Sequence, residues 1–222
     1  MRLLPCFAVV LIIAHCARAA AQSDASLDYL RWTRQQAEGA SQSMRVNGQV
    51  GGSFDLRIIR TERSYNYKLR ATLMTPDVIR GTARLLQLSN GLTNDQAVEL
   101  VKEAETAGDL VVMFEIDPRE GSGVVPLDMV VLLRPKGGDG GTAIGGTLVP
   151  ALRNIRALSG GFRRDYAYEQ FWAVFPLRED RGAALLAPNV ADAELVVRIY
   201  DKEGRVSWAI PSALRARKQS QP

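Results

Sequence analysis

The sequence predicts a mainly β domain: an antiparallel β-sandwich of immunoglobulin-like architecture with one inserted α-helix and room for a second, short one. Three observations carry that prediction. Short apolar or alternating runs of strand length recur between residues 65 and 210, bounded by Gly and Pro. The regular strand–helix–strand alternation of a parallel sheet does not occur. One strong helical repeat, over residues 94–107, interrupts the strands midway. The Cys…Trp…Cys framework of antibody domains is absent, so the immunoglobulin likeness is one of architecture alone.

Residues 1–21 read as a secretory signal peptide. Arg2 supplies a positive start, Phe7 to Ala14 is an unbroken apolar run, and Ala17-Arg18-Ala19-Ala20-Ala21 offers small residues for cleavage near Ala19 or Ala21. A transmembrane anchor needs about 20 apolar residues, more than this run holds, and no span is expected after cleavage. Acylation at Cys16 would place His15 where a lipoprotein peptidase takes a small residue. Residues 22–52 are polar and read as a flexible tether with a marginal helix around Leu27, Leu30 and Trp32. The sandwich domain is expected over 53–211 and a polar tail over 212–222.

Within the domain, Phe54 to Arg60 is a first strand candidate. Tyr65, Tyr67, Leu69, Ala71 and Leu73 alternate with polar residues, the period of a strand with one wet face. Thr75-Pro76-Asp77 is a helix start, with Pro at the first helical position, for a short helix to about Leu86 that Gly81 weakens. Thr93 and Gln96 form a capping box, Ala97, Leu100, Val101 and Ala104 follow at helical spacing, and Gly108 suits a C-terminal cap. Leu110 to Ile116, Leu127 to Leu133 and Tyr166 to Leu177 read as strands, the first two buried and the last apolar on both faces around Phe171 to Phe175. Arg178 to Ala193 is read as a connection. Glu194 to Tyr200 and Arg205 to Ile210 close the domain as a hairpin, with Asp201-Lys202-Glu203-Gly204 as its turn.

The chain of 222 residues is 46% hydrophobic and 23% charged, ordinary values for a folded domain. Cys6, His15 and Cys16, all in the leader, are the only cysteines and histidine. The remainder therefore excludes disulfides, thiolate nucleophiles, His-based triads and zinc sites built on Cys or His. A chain of about 200 residues buries roughly 70% of its unfolded surface and needs no disulfide staples. Without the leader, 26 basic side chains face 24 acidic ones, and that near balance, with no nucleic-acid motif, argues against nucleic acid as a partner.

One resemblance emerges from the element order. A strand, a helix opening Leu92-Thr93-Asn94-Asp95-Gln96, a further strand, Phe171-Trp172-Ala173-Val174-Phe175-Pro176 and a closing hairpin resemble uncharacterised exported bacterial β-sandwich proteins over residues 65–211. The resemblance implies a fold and a compartment, periplasmic or secreted, and assigns no functional residue.

Candidate chemistry is sparse. The glycine-rich stretch 137–146 has Gly146 where a phosphate-binding loop needs lysine, and Thr147-Leu148-Val149-Pro150 starts no helix, so it reads as a flexible loop without a cofactor. Gly121-Ser122-Gly123 has no histidine to activate its serine. No calcium-loop pattern occurs, so no metal is expected. Two acid pairs, Glu115 with Asp117 and Asp192 with Glu194, leave a carboxylate-dependent hydrolase of envelope polymers as the alternative function. Strand-borne acids are more often ion-paired, which favours a non-catalytic binding or structural role with an envelope protein or polymer as partner. Arg153, Arg156, Arg163 and Arg164 form a candidate anion-binding stretch. In the hairpin, a turn ending at Gly204 sets Arg198 opposite Trp208. Either the guanidinium stacks on an exposed indole, making Arg198, Tyr200 and Trp208 a partner surface, or Trp208 is buried and Arg198 reaches past it to solvent.

Overall fold

Seven consecutive residues, Leu110 to Ile116, are buried in one strand, and a strand buried on both faces needs a packed layer on each side. The computed structural model supplies both layers. It describes residues 27–50, 67–118, 125–137, 142–159, 168–177, 180–212 and 214–215. The expected signal peptide, the strand at 54–60, Gly121-Ser122-Gly123, residues 138–141 of the glycine-rich stretch, Arg163 and Arg164 lie outside these residues.

The described strands are β1 (Arg45–Val50), β2 (Tyr67–Leu73), β3 (Leu110–Pro118), β4 (Val130–Pro135), β5 (Ile144–Gly145), β6 (Thr147–Leu148), β7 (Glu169–Phe175), β8 (Asp192–Ile199) and β9 (Lys202–Ala209). They form two sheets, β1-β2-β3-β7-β6 and β5-β4-β8-β9, and every pairing is antiparallel. The chain is thus mainly β, as the alternating and apolar runs predict.

The two sheets share one apolar core. Leu69, Val112, Phe114, Ile116 and Phe175 from the first meet Leu133, Leu195, Val197 and Ile199 from the second. Phe114 and Phe171 stack at 5.4 Å between ring centroids, and the Tyr67 hydroxyl crosses the layer to donate to the Val197 carbonyl at 2.6 Å. A buried tyrosine needs such an acceptor. The opposite face of the five-stranded sheet, through Val111, Met113 and Trp172, packs against helices. Helix α1 (Arg34–Gln42) packs on α2 (Pro76–Asn90), which forms that layer with α3 (Asn94–Glu105) and the short α4 (Arg156–Ser159); α5 (Asp180–Leu185) follows β7. None of the described helices is long and apolar enough to cross a membrane.

Several expectations are corrected. The stretch 27–50 is no tether: a capping box between Thr33 and Gln36 opens α1, and β1 pairs with β2. It repeats the Thr93–Gln96 motif that opens α3 as predicted. The inserted helix is accompanied by others, and α2 continues past Leu86 to Asn90. Gly81 lies within it. Added to Gly81, a Cβ would lie 2.7 Å from the Ser41 amide nitrogen and 2.8 Å from the Ala37 carbonyl oxygen, so the glycine lets α1 and α2 cross closely. The connection after Leu177 contains α5. At the C-terminal end Leu214 packs into the shared core and Arg215 donates to the Ala187 and Val190 carbonyls, so the polar tail begins later than residue 212.

The hairpin differs in register. Ile199 pairs with Lys202 across a two-residue loop, Arg198 faces Glu203, and Trp208 faces Ala193. An offset of five positions is odd, so it turns every side chain of β9 to the other face. Val206 and Trp208 point inward with Leu195, Val197 and Ile199, while Ser207 and Ala209 point outward. Gly204 is the reason. It is a packing residue and not a turn residue, because a Cβ there would lie 2.6 Å from the Tyr67 hydroxyl and 2.7 Å from Val50. A glycine inside a strand marks either a bend or the close approach of another chain segment, and here it is the second.

Candidate functional site

The helices cover only part of the five-stranded sheet, and the neighbouring rows on the same face are polar. Strand alternation turns Lys68 and Arg70 of β2, Glu115 and Asp117 of β3 and Gln170 of β7 to the side that carries Met113 and Trp172. Register then aligns Asn47, Arg70, Glu115 and Gln170 as one row across four strands.

Glu115 is the centre of that row and is wholly buried. A buried carboxylate is costly unless it is paired and hydrogen-bonded. The pairing here is dense. Arg45 Nη2 donates to Glu115 Oε2 at 2.7 Å, Arg70 Nη1 stands 3.8 Å from the same oxygen, and Gln170 Nε2 donates to Oε1 at 3.4 Å. Arg70 also donates to Asn47 Oδ1 at 3.2 Å, and its guanidinium lies 4.0 Å over the Tyr168 ring. In the adjoining row Lys68 pairs with Asp117 at 3.2 Å. Both members of the first acid pair therefore share a face, and each is occupied by cations.

In the second acid pair one member, Glu194, is occupied by a cation. Arg134 donates through Nε and Nη2 to Glu194 Oε2 at 3.0 and 2.8 Å, while Asp192 sits beyond it on β8. A general acid or base must reach the proton it transfers. Glu115 and Glu194 each give one carboxylate oxygen to arginine instead. Among the described residues no cluster of Asp, Glu, His or Cys has the arrangement of a metal site.

The hairpin candidates separate. Trp208 is buried, and its indole N–H donates to the Met44 carbonyl at 2.7 Å, so it belongs to the core and not to a partner surface. Arg198 is not its cross-strand neighbour; it bonds Glu203, which Arg205 bonds as well at 2.8 Å. The hydrogen bond from Arg205, then that from Arg198, holds the Glu203 carboxyl below its ordinary pKa. Tyr200 is half-exposed at the loop. Arg153 and Arg156 are exposed on the segment that carries α4, near the helical layer.

Arg45, Asn47, Arg70, Tyr168 and Gln170 escaped the sequence reading. The alternation of Tyr67 to Leu73 does place Lys68 and Arg70 on one face. The partner of Arg70 lies 45 residues away in β3, and no local pattern connects them. No protein-family model matches the chain, and neither a curated relative nor a solved structure matches it.

Proposed function

We propose that this chain is an exported bacterial protein, periplasmic or secreted, whose domain binds an envelope protein or polymer or serves as a structural module without catalysis. The observation that carries this reading is the occupation of three of the four strand-borne acids: Glu115 by Arg45 and Arg70, Asp117 by Lys68, and Glu194 by Arg134. Hydrolysis of a glycosidic bond needs two carboxyl groups open to the substrate. Export rests on the composition of residues 1–21. The two facing sheets and their shared core support a β-sandwich, and we read it as immunoglobulin-like in architecture.

Cell fractionation with N-terminal sequencing tests the compartment. The expected result is a chain beginning near Ala20 or Gln22 outside the cytoplasm, and a chain still starting at Met1 in the membrane fraction overturns it. Turnover assays on envelope polysaccharide test the second half. Release of sugar that disappears in both Asp117→Asn and Glu115→Gln, with folding intact, would replace the binding reading with the hydrolase.

A further inference from the structure

Polar atoms buried without a hydrogen bond gather on one side of the molecule. Among the described residues, the hydroxyls of Tyr29, Thr72 and Thr82 and Nε of Arg80 are in that position. Tyr29 lies in the 3-10 turn Asp28–Arg31 ahead of α1, and Arg80 and Thr82 lie in α2. Thr72 stands opposite Met113 in the β2–β3 register, in the row that continues to Trp172 and faces the helices. All four therefore belong to the helical layer or to the strand row beneath it. In the core between the sheets the Tyr67 hydroxyl, by contrast, reaches the Val197 carbonyl at 2.6 Å.

A buried group without a partner carries the whole cost of leaving water, because no hydrogen bond offsets it. The helical layer also has less apolar burial to set against that cost. Its cluster holds 14 buried residues among those described, against 27 in the cluster between the sheets. The charged contacts of Arg80, 3.5 Å to Glu105 and 3.9 Å to Asp77, are looser than a charge-assisted hydrogen bond. Where α1 crosses α2 the close approach is over Gly81, so α2 has no side chain there to interlock. Proteins open locally in cooperative units, and the unit with the least net burial opens most readily. We propose that α1 and α2, with the turn that carries Tyr29, form such a unit, which opens as one while the two sheets stay closed. Opening brings water to the four orphaned atoms and uncovers part of the sheet face beneath. The fold thereby contains a conformational device, of the low-stability kind from which moving elements are drawn. The inference is independent of the export and binding reading above.

Amide hydrogen exchange in urea below the global transition, on the protein purified from its native compartment, tests it. The expected result is one shared opening, with its own urea dependence, for amides of residues 37–41 in α1 and 79–87 in α2. The amides of Val112, Phe114, Leu195 and Val197 should exchange only through global unfolding. Thr72→Val and Thr82→Val keep the β-branched shape and remove the hydroxyl. Each should make the shared opening about fivefold rarer or more, because the hydroxyl is hydrated only in the opened chain. The sheet amides should slow by a similar factor, since the hydroxyl meets water in the unfolded chain as well. Exchange of the α1 and α2 amides only together with those of the sheets overturns the proposal. A swap to Val that leaves the opening as frequent, or makes it more frequent, overturns it too, because the hydroxyl then has a partner in the folded state.

Discussion

Glu115 makes the energetic logic of the polar row concrete. Its carboxylate is worth little as a stabilising pair on its own, because burying the charges offsets most of their attraction. Removing it is different, since Arg45 and Arg70 then lose their shared counter-charge. Glu115→Gln should therefore cost about 3 kcal/mol in urea melts. A loss under about 0.5 kcal/mol, the range of ordinary surface substitutions, would make the row peripheral. Tyr29 carries the clearest pH effect. Burial, opposed by Arg80 and reinforced by Glu105, raises its phenol above the ordinary value. The folded state then holds the proton more tightly than the unfolded chain. The contribution is intact below about pH 10, the unfolded value, and is lost as pH rises through the higher folded one. Alkaline unfolding should set in there, and Tyr29→Phe should remove this component of the pH dependence.

At the scale of elements, α3 and β9 show how differently local sequence and packing contribute. Helix α3 has its start written in a capping box and its buried stripe in Ala97, Leu100, Val101 and Ala104. Leu100→Ala should cost about 2–5 kcal/mol and Thr93→Ala only about 1 kcal/mol. Denaturant melts in which both are neutral would detach the helix from the core. Strand β9 depends on a side chain that is missing. Gly204→Ala pushes a methyl group toward Tyr67 and Val50 and should cost about 1–3 kcal/mol, the usual cost of overpacking. Gly145→Ala, where nothing lies within 4 Å, is the control and should stay within about 0.5 kcal/mol. Equal effects from the two would refute the packing role of Gly204.

In the whole molecule, the parts are tied together by residues far apart in the chain. Trp208 of the closing hairpin donates to Met44, just before β1, so the N-terminal segment and the last strand are anchored to each other. Trp208→Ala removes both the buried indole and this bond. It should cost about 3–5 kcal/mol, the range for a large aromatic removed from a core. A variant that melts like the parent would return Trp208 to the surface.

Local chemistry alone determined where α3 begins, which residues of β2 face inward, that Leu110 to Ile116 of β3 are buried, and that the sequence after residue 16 contains no cysteine or histidine. Each of these follows from contacts within one turn or one pleat, so spacing is enough to read them. The capping box at Thr33 carried the same kind of signal for α1 and went unread because the surrounding residues are polar. Tertiary structure decided the rest. Whether Gly204 bends the chain or admits a neighbour depends on Tyr67 and Val50, which stand more than 130 residues away in sequence. That choice sets the β9 register and, through an odd offset, the face of Trp208. The charge of Glu115 likewise takes its role from Arg45 and Arg70 on two other strands. Side-chain chemistry is local, but its partners are chosen by which strands pair and which layers touch.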